Sequence, residues 1–369
     1  MKVRGAVLTE MGRPAPYAES RPLVIEELEL DGPGPGEVLV RVRAAGLCHS
    51  DLSVINGSRP RVMPMVLGHE GAGEVVEVGA GVDTLAPGDH VVLTFVPTCG
   101  TCGPCLSGRA ALCEPGAAAN ATGALLSGER RWHEHHHHLG VSAFAEHIVV
   151  SQHSAVRVPP ELPFDVAALF GCAVLTGVGA ALHAAHVSPG DRVAVFGLGG
   201  VGLAALLGAK VAGASTLIAV DVVADKLALA KELGATHAVQ AGPEGLEEIG
   251  EITGGGADHV IETVGSAAVL ADAYAATRRG GTTVTVGLPH PEQMLSIPAV
   301  SLVAEEKTLK GSYLGSSVPA RDIPRFIALH QAGQLPVERL LTHRLGLDEL
   351  NEGFDRLARG EAVRQAIIF

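Results

Sequence analysis

Cys99, Cys102, Cys105 and Cys113 stand at C-x2-C-x2-C-x7-C spacing within a Gly/Pro-rich stretch. Four thiolates on one tight loop can close a tetrahedron around Zn²⁺ with no open position, which suits a structural site. Iron–sulfur clusters use similarly close spacings, and four unrelated reduced thiols are the bland reading. The other two of the six cysteines are Cys48, in Gly-Leu-Cys-His-Ser-Asp, and Cys172, in Leu-Phe-Gly-Cys-Ala. Each alone reads as a buried core thiol. Between them Gly68-His69-Glu70 offers an imidazole. Two thiolates and one imidazole make the ligand set of a catalytic zinc whose fourth position stays open. Spacing alone does not bring three such distant residues together; a fold must do that.

A second constellation is Gly197-Leu-Gly199-Gly200-Val201-Gly202, a G-x-G-x-x-G pattern. It follows an expected strand, Arg192–Phe196, and opens an expected helix, Gly202–Ala212, and that context gives the pattern its weight. The glycines permit a tight turn and close approach of a pyrophosphate, which the helix N-terminus attracts. Asp221 ends the next apolar strand, where a carboxylate accepts hydrogen bonds from the ribose of NAD and repels the 2′-phosphate of NADP. Lys226, one helical turn on, is also within reach of the ribose. The bland alternative for Asp221 is a solvated capping residue.

These groups need a scaffold, and the totals bound it. The chain has 369 residues, 47% hydrophobic and 18% charged, with a formal net charge of −13. That length predicts two or three domains with ample cores. The acidic balance argues against a nucleic-acid or anionic-membrane partner. The uncharged runs Val166–Gly190 and Val193–Ala209 are broken by Pro189 and by the glycine turn, and read as buried elements rather than membrane spans. The N-terminus lacks a signal-peptide pattern, which predicts a soluble cytoplasmic protein. Up to about residue 155 short β-branched runs, among them Glu37–Val42, Glu74–Val78 and His90–Leu93, alternate with Gly/Pro/Asp turns. From about Pro163 apolar strands alternate with Ala/Leu/Lys-rich helices, which predicts βαβ units on a parallel sheet. The run His135–His138, with His133 before it, reads as a solvated loop or, less simply, a site for a transition metal.

Taken together these motifs resemble the zinc-dependent alcohol dehydrogenases of the medium-chain dehydrogenase/reductase superfamily. Gly68-His69-Glu70-x2-Gly73-x5-Gly79-x2-Val82 fits that family's zinc signature, and the resemblance runs the whole chain. It implies an α/β fold: a GroES-like β-rich catalytic domain over 1–174 and 314–369, and a Rossmann doubly wound parallel-sheet coenzyme domain over 175–313. The lobe of about 97–115 belongs to the first. It implies two zinc ions per chain, a catalytic one on Cys48, His69 and Cys172 and a structural one on the four lobe cysteines. Asp51 corresponds to the carboxylate that orients His69, and Glu70 to a carboxylate behind the zinc or a structural ion pair. Ser50 corresponds to the hydroxyl that starts a proton relay. His49 and Arg364 correspond to residues at the cofactor pyrophosphate, and Thr176 and Val201 to residues beside the nicotinamide, Val201 reading equally well as core. Phe95, His138 and Leu139 correspond to the substrate-pocket wall.

The activity implied is reversible, NAD-dependent oxidation of a primary or secondary alcohol, with zinc as Lewis acid, in a homodimer or tetramer. The sequence departs from the family in two places. Ser53 stands where many members have a relay histidine, and His138 where an aromatic residue is common. Glu114-Pro115-Gly116 carries no arginine after the lobe, which weighs against a formaldehyde–thiol adduct as substrate. A non-catalytic cofactor-binding protein on the same scaffold is the reading from another class.

Overall fold

The computed structural model describes residues 1–369. The chain divides into two compact units, Met1–Cys172 with Val318–Pro324 and Leu341–Phe369, and Ala173–Ser317 with Arg325–Leu340.

The first unit is built on a seven-stranded sheet and a four-stranded one. Its hub is the strand Glu37–Leu47, which pairs antiparallel with Gly71–Val78, His147–Ser151 and Arg364–Ile368. The hub is apolar on both faces over most of its length, and both faces are buried. Val38, Val40, Leu47, Val66, Phe144 and Phe354 share one core, in which each fully buried large side chain contributes about 1.5–3 kcal/mol. Phe144 and Phe354 meet edge to face at 6.1 Å. The glycines of the zinc signature have steric reasons. A Cβ on Gly73 would lie 2.2 Å from the Arg41 carbonyl oxygen, and one on Gly79 1.8 Å from that of Gly34.

The second unit holds a six-stranded, wholly parallel sheet. Its order across the sheet is His237–Gln240, Thr216–Asp221, Arg192–Phe196, Ala257–Glu262, Thr277–Thr285, Thr308–Gly311. Numbered along the chain this is 3-2-1-4-5-6, the Rossmann order. The helix Ala173–Gly179 lies on the helix Gly200–Val211 through glycines: a Cβ on Gly177 would sit 2.2 Å from the Val201 carbonyl oxygen, and one on Gly208 2.8 Å from Val178 Cα. Arg325–Leu340 joins this unit, where His183 stacks on Phe326 and Arg339 pairs with Glu232. No single helix is long and apolar enough to cross a membrane.

Candidate active site

In the first unit, Cys48 follows the hub strand and caps the helix His49–Ile55, whose first turn carries His49, Ser50 and Asp51. The cap is reciprocal: Asp51 Oδ2 accepts from the Cys48 backbone N–H at 3.2 Å. His69 and Glu70 lie in the link from Met65–Val66 to Gly71–Val78. Gly68 there has φ +91°, and a Cβ would lie 2.6 Å from the Phe144 nitrogen, so only glycine lets this loop settle. Cys172 follows the short helix Ala168–Gly171, and Gly171 lets it sit against the Leu93 carbonyl, 2.2 Å from where a Cβ would stand.

The fold brings Cys48, His69, Glu70 and Cys172 together, their donor atoms all within 4.8 Å of one another and all four residues buried. His69 Nδ1 donates to Asp51 Oδ1 at 2.9 Å. His69 Nε2 and Glu70 Oε2 are buried without hydrogen-bond partners. Orphaned buried polar atoms are rare and mark a missing partner. Two thiols and an imidazole nitrogen are the donor set that selects zinc among the common ions. These residues therefore fit the metal.

The electrostatics follow from burial and from the charges within the cluster. The Cys172 hydrogen bond holds the Cys48 thiol well below its usual range, against burial and with help from His69. Cys172 is pushed well above its own by that same bond and by burial. Burial would lower His69, yet Asp51 and Cys48 hold it well above an ordinary histidine. Burial lifts the Glu70 carboxyl to about 7, against the pull of Arg364. Arg364 is itself buried and bonded to Glu70, so its guanidinium belongs to the hinterland of this cluster. A Cβ on Gly46 would lie 2.8 Å from the Glu70 carboxyl group, which explains the glycine.

Phe95 meets the His69 ring edge to face at 5.2 Å, and Leu139 is buried with φ +52°. His138, expected on the pocket wall, turns Nδ1 to within 3.2 Å of Asp51 Oδ1. The histidine run is thus neither one metal site nor one solvated loop. His133 is shared between Asp31 and Glu29, His137 is buried with its pKa driven down to about 3, and His138 faces Asp51. Ser53 donates to the His49 carbonyl at 2.8 Å, back-bonded to its own helix. Sequence reasoning passed over Asn120, on the helix Glu114–Thr122, which donates to the Phe95 carbonyl at 2.9 Å while its buried Oδ1 has no partner. A lone Asn among alanines was the available signal.

In the lobe the four cysteine sulfurs also lie within 4.8 Å of one another. A tetrahedron with bonds of about 2.3 Å has edges of about 3.8 Å, so the cage is sized for one ion rather than a cluster. Backbone N–H groups point at the sulfurs: Cys113 Sγ accepts from Cys99 and Gly116, and Cys99 Sγ from Thr101 and Cys102. These bonds, Thr101's first, bring Cys99 down to about 6, whereas burial pushes Cys105 up to about 12.

In the second unit the glycine turn has a divided logic. Gly197 has φ +88°, and a Cβ on Gly202 would lie 1.8 Å from the Gly197 carbonyl oxygen, so both are dictated by the chain itself. A Cβ on Gly199 would meet nothing within 4 Å. The chain itself gives this glycine no steric reason, and a pyrophosphate cradle would supply one. The helix starts at Gly200, two residues before the expected Gly202. Asp221 Oδ2 accepts from the Leu198 N–H at 2.6 Å and Oδ1 from Val223 at 2.9 Å. The carboxylate is thus aimed from the end of its strand and tied to the turn. Lys226 sits half-buried in the first turn of the helix Ala224–Leu233. Thr176 is buried on Ala173–Gly179, Val201 is half-buried in the turn, and His49 is exposed on the other unit.

Comparison with known proteins follows these lines. Residues 34–160 match the alcohol dehydrogenase GroES-like domain, and residues 200–332 the zinc-binding dehydrogenase domain. The chain is 43% identical to an NDMA-dependent alcohol dehydrogenase of Amycolatopsis methanolica, covering 100% of this chain and 99% of the relative. It is 35% identical to an S-(hydroxymethyl)glutathione dehydrogenase of Paracoccus denitrificans, covering 100% of both. The crystal structure of a benzyl alcohol dehydrogenase from Acinetobacter calcoaceticus superposes with a TM-score of 0.94 at 33% identity, over 100% of this chain and 99% of that one. The chain belongs to the zinc-type medium-chain alcohol dehydrogenases. It has their GroES-like domain and their parallel-sheet coenzyme domain, and it is an oxidoreductase acting on small molecules.

Proposed function

We propose that the protein oxidises a primary or secondary alcohol reversibly to an aldehyde or ketone, with NAD as hydride acceptor and two zinc ions per chain. One observation carries the reading: the buried cluster of two thiols and an imidazole whose free nitrogen faces it, backed by Asp51 on the other nitrogen. Cys48, His69 and Cys172 would hold the catalytic ion, and the lobe cysteines the structural one. When bound, zinc supplies Lewis acidity at the substrate oxygen and the nicotinamide takes the hydride.

The chain's own groups do the rest. Asp51 fixes His69 with its proton on Nδ1, which presents Nε2 as the donor atom. Ser50 Oγ, half-buried one residue before Asp51, receives the substrate hydroxyl's proton and passes it outward. Ser53 relays it no further through its own proton, which its helix carbonyl holds. Phe95 excludes water beside His69. The open space at Gly199 supports a dinucleotide, and the aimed carboxylate of Asp221 supports NAD over NADP.

The Amycolatopsis relative supports a second reading for the acceptor, in which turnover requires NDMA. Alcohol oxidation assayed with NAD alone, and with NDMA added, separates the two. Reduced nicotinamide accumulating without NDMA establishes the first reading, and turnover only with NDMA establishes the second. The Paracoccus relative puts a formaldehyde–glutathione adduct on the same substrate panel.

Self-association as a dimer fits the second unit. Thr308–Gly311 is the terminal strand of its sheet, and Met294, Val300 and Val303 on the preceding segment are 85%, 73% and 82% exposed. Exposed apolar side chains in the segment leading to a terminal strand are what a second chain would cover.

A further inference from the structure

We propose that His138 is a positioning residue for the reaction: it shares the Asp51 carboxylate with His69 and, through Asp51, holds the metal-ligating imidazole in place. The inference rests on the zinc reading above and adds to it a residue outside the proposed ligand set.

Four observations converge. His138 is 1% exposed, Asp51 and His69 0%. Its Nδ1 lies 3.2 Å from Asp51 Oδ1, the same oxygen that receives His69 Nδ1 at 2.9 Å, and its ring stands perpendicular to that of His69 at 5.7 Å. That Nδ1 has no other partner and is not aligned with the oxygen as a full hydrogen bond requires, so a small rotation of the ring completes the contact. Asp51 Oδ2 is already occupied by the Cys48 N–H.

The backbone is arranged to keep the ring there. His138 N–H donates to Ser142 Oγ at 3.0 Å, and the His138 carbonyl accepts from Val141 at 3.0 Å and Ser142 at 3.2 Å. Within this turn Leu139 has φ +52° and Ser142 φ +60°. Left-handed backbone at a non-glycine residue is unfavourable and persists where surroundings impose it, often at functional sites. Upstream, Met65–Val66 pairs in register with His136–His137, and downstream Ala143 and Phe144 donate to the carbonyls of Gly68 and Leu67. The segments bearing His69 and His138 are thereby stitched together on both sides.

The Cys48 N–H holds Oδ2 of this carboxylate, and a second donor beside His69 on Oδ1 narrows the freedom left to that oxygen and with it the tilt of His69. Groups behind a metal ligand typically contribute about ten- to 100-fold in metal affinity or activity.

The test compares His138→Phe, which fills the space without a donor, with His138→Asn, whose amide reaches where Nδ1 does. Both are made also in an Asp51→Asn background. Zinc content and affinity are measured by chelator competition on the full-length protein, with kcat and KM beside them. The expected result is a loss in H138F of about tenfold or more in affinity for one of two zinc ions, with kcat falling and KM for alcohol little changed. H138N should recover most of both, and H138F should add nothing once Asp51 is Asn. The lobe zinc, still bound, reports that the variants fold. Equal impairment of H138F and H138N, or an undiminished penalty in the Asp51→Asn background, overturns the inference in favour of mere space-filling. Wild-type zinc content that does not drop in Cys48→Ala overturns the zinc reading itself, and the inference with it.

Discussion

Asp221→Asn keeps the side chain's shape and removes its charge, which makes it a direct probe of cofactor choice. An amide accepts only through its single oxygen, so one of the two bonds to Leu198 and Val223 is lost while the other persists. A hydrogen bond to a charged group contributes about 1.5–3 kcal/mol. Losing the charge towards the ribose hydroxyls therefore weakens NAD by about 10- to 150-fold. NADP moves the other way. Two unit charges about 4 Å apart repel by about 1 kcal/mol even in water, and a phosphate carries about −1.5 to −2. Half-buried Asp221 thus opposes the 2′-phosphate by at least about 1.5 kcal/mol. The two effects together shift the NAD/NADP preference by at least about 100-fold. Titration calorimetry with each nucleotide reads this without requiring turnover. A preference ratio that stays at the wild-type value refutes the assignment of Asp221 to the ribose.

The remaining predictions use the same contacts. Gly199→Ala should leave thermal stability unchanged, because the new methyl meets nothing within 4 Å, yet it should lower NAD affinity, whereas Gly202→Ala should lower melting temperature as well, since its Cβ would lie 1.8 Å from a carbonyl. Asp258, held well below the ordinary carboxylate range chiefly by its Arg192 hydrogen bond and also by Arg278, stabilises its unit above the unfolded value of about 3.9. That contribution is lost as pH falls through the depressed folded value. Asp258→Asn should therefore cost about 1–2 kcal/mol at neutral pH, a figure reduced for its partly exposed arginines, with the gap to wild type closing only in strong acid; thermal melts against pH check this. Val303→Asp should shift the protein to a smaller species in light scattering with its melting curve otherwise intact.

Much of the architecture was legible because it is written in periodicity. Arg192–Phe196, Thr216–Asp221 and Ala257–Glu262 are runs bounded by turns, and they form neighbouring strands of the parallel sheet that the strand–helix alternation predicted. The helix Pro243–Thr253 was not anticipated: Gly245 and Gly250 interrupt it and its glutamates dominate, although Leu246, Ile249 and Ile252 make an apolar stripe and Gly254 ends it at φ +67°. Glu114–Thr122 hid likewise in an Ala-rich stretch. The lobe cage could be read from spacing because its ligands are local. The meeting of Cys48, His69 and Cys172 could not, since it depends on close approaches at Gly68 and Gly171 that no local pattern encodes. His138 lay further from view, as its direction is set by left-handed backbone at Leu139 and Ser142.

The central claim is zinc-assisted, NAD-linked alcohol oxidation at the cluster of Cys48, His69 and Cys172. Its most direct test is reduced-nicotinamide formation by the zinc-replete protein across primary, secondary and aromatic alcohols, with Cys172→Ala measured beside the wild type. The wild type should turn over, and the variant should bind NAD, hold one zinc fewer and turn over no alcohol. A Cys172→Ala protein that retains the second zinc and full activity would contradict that claim.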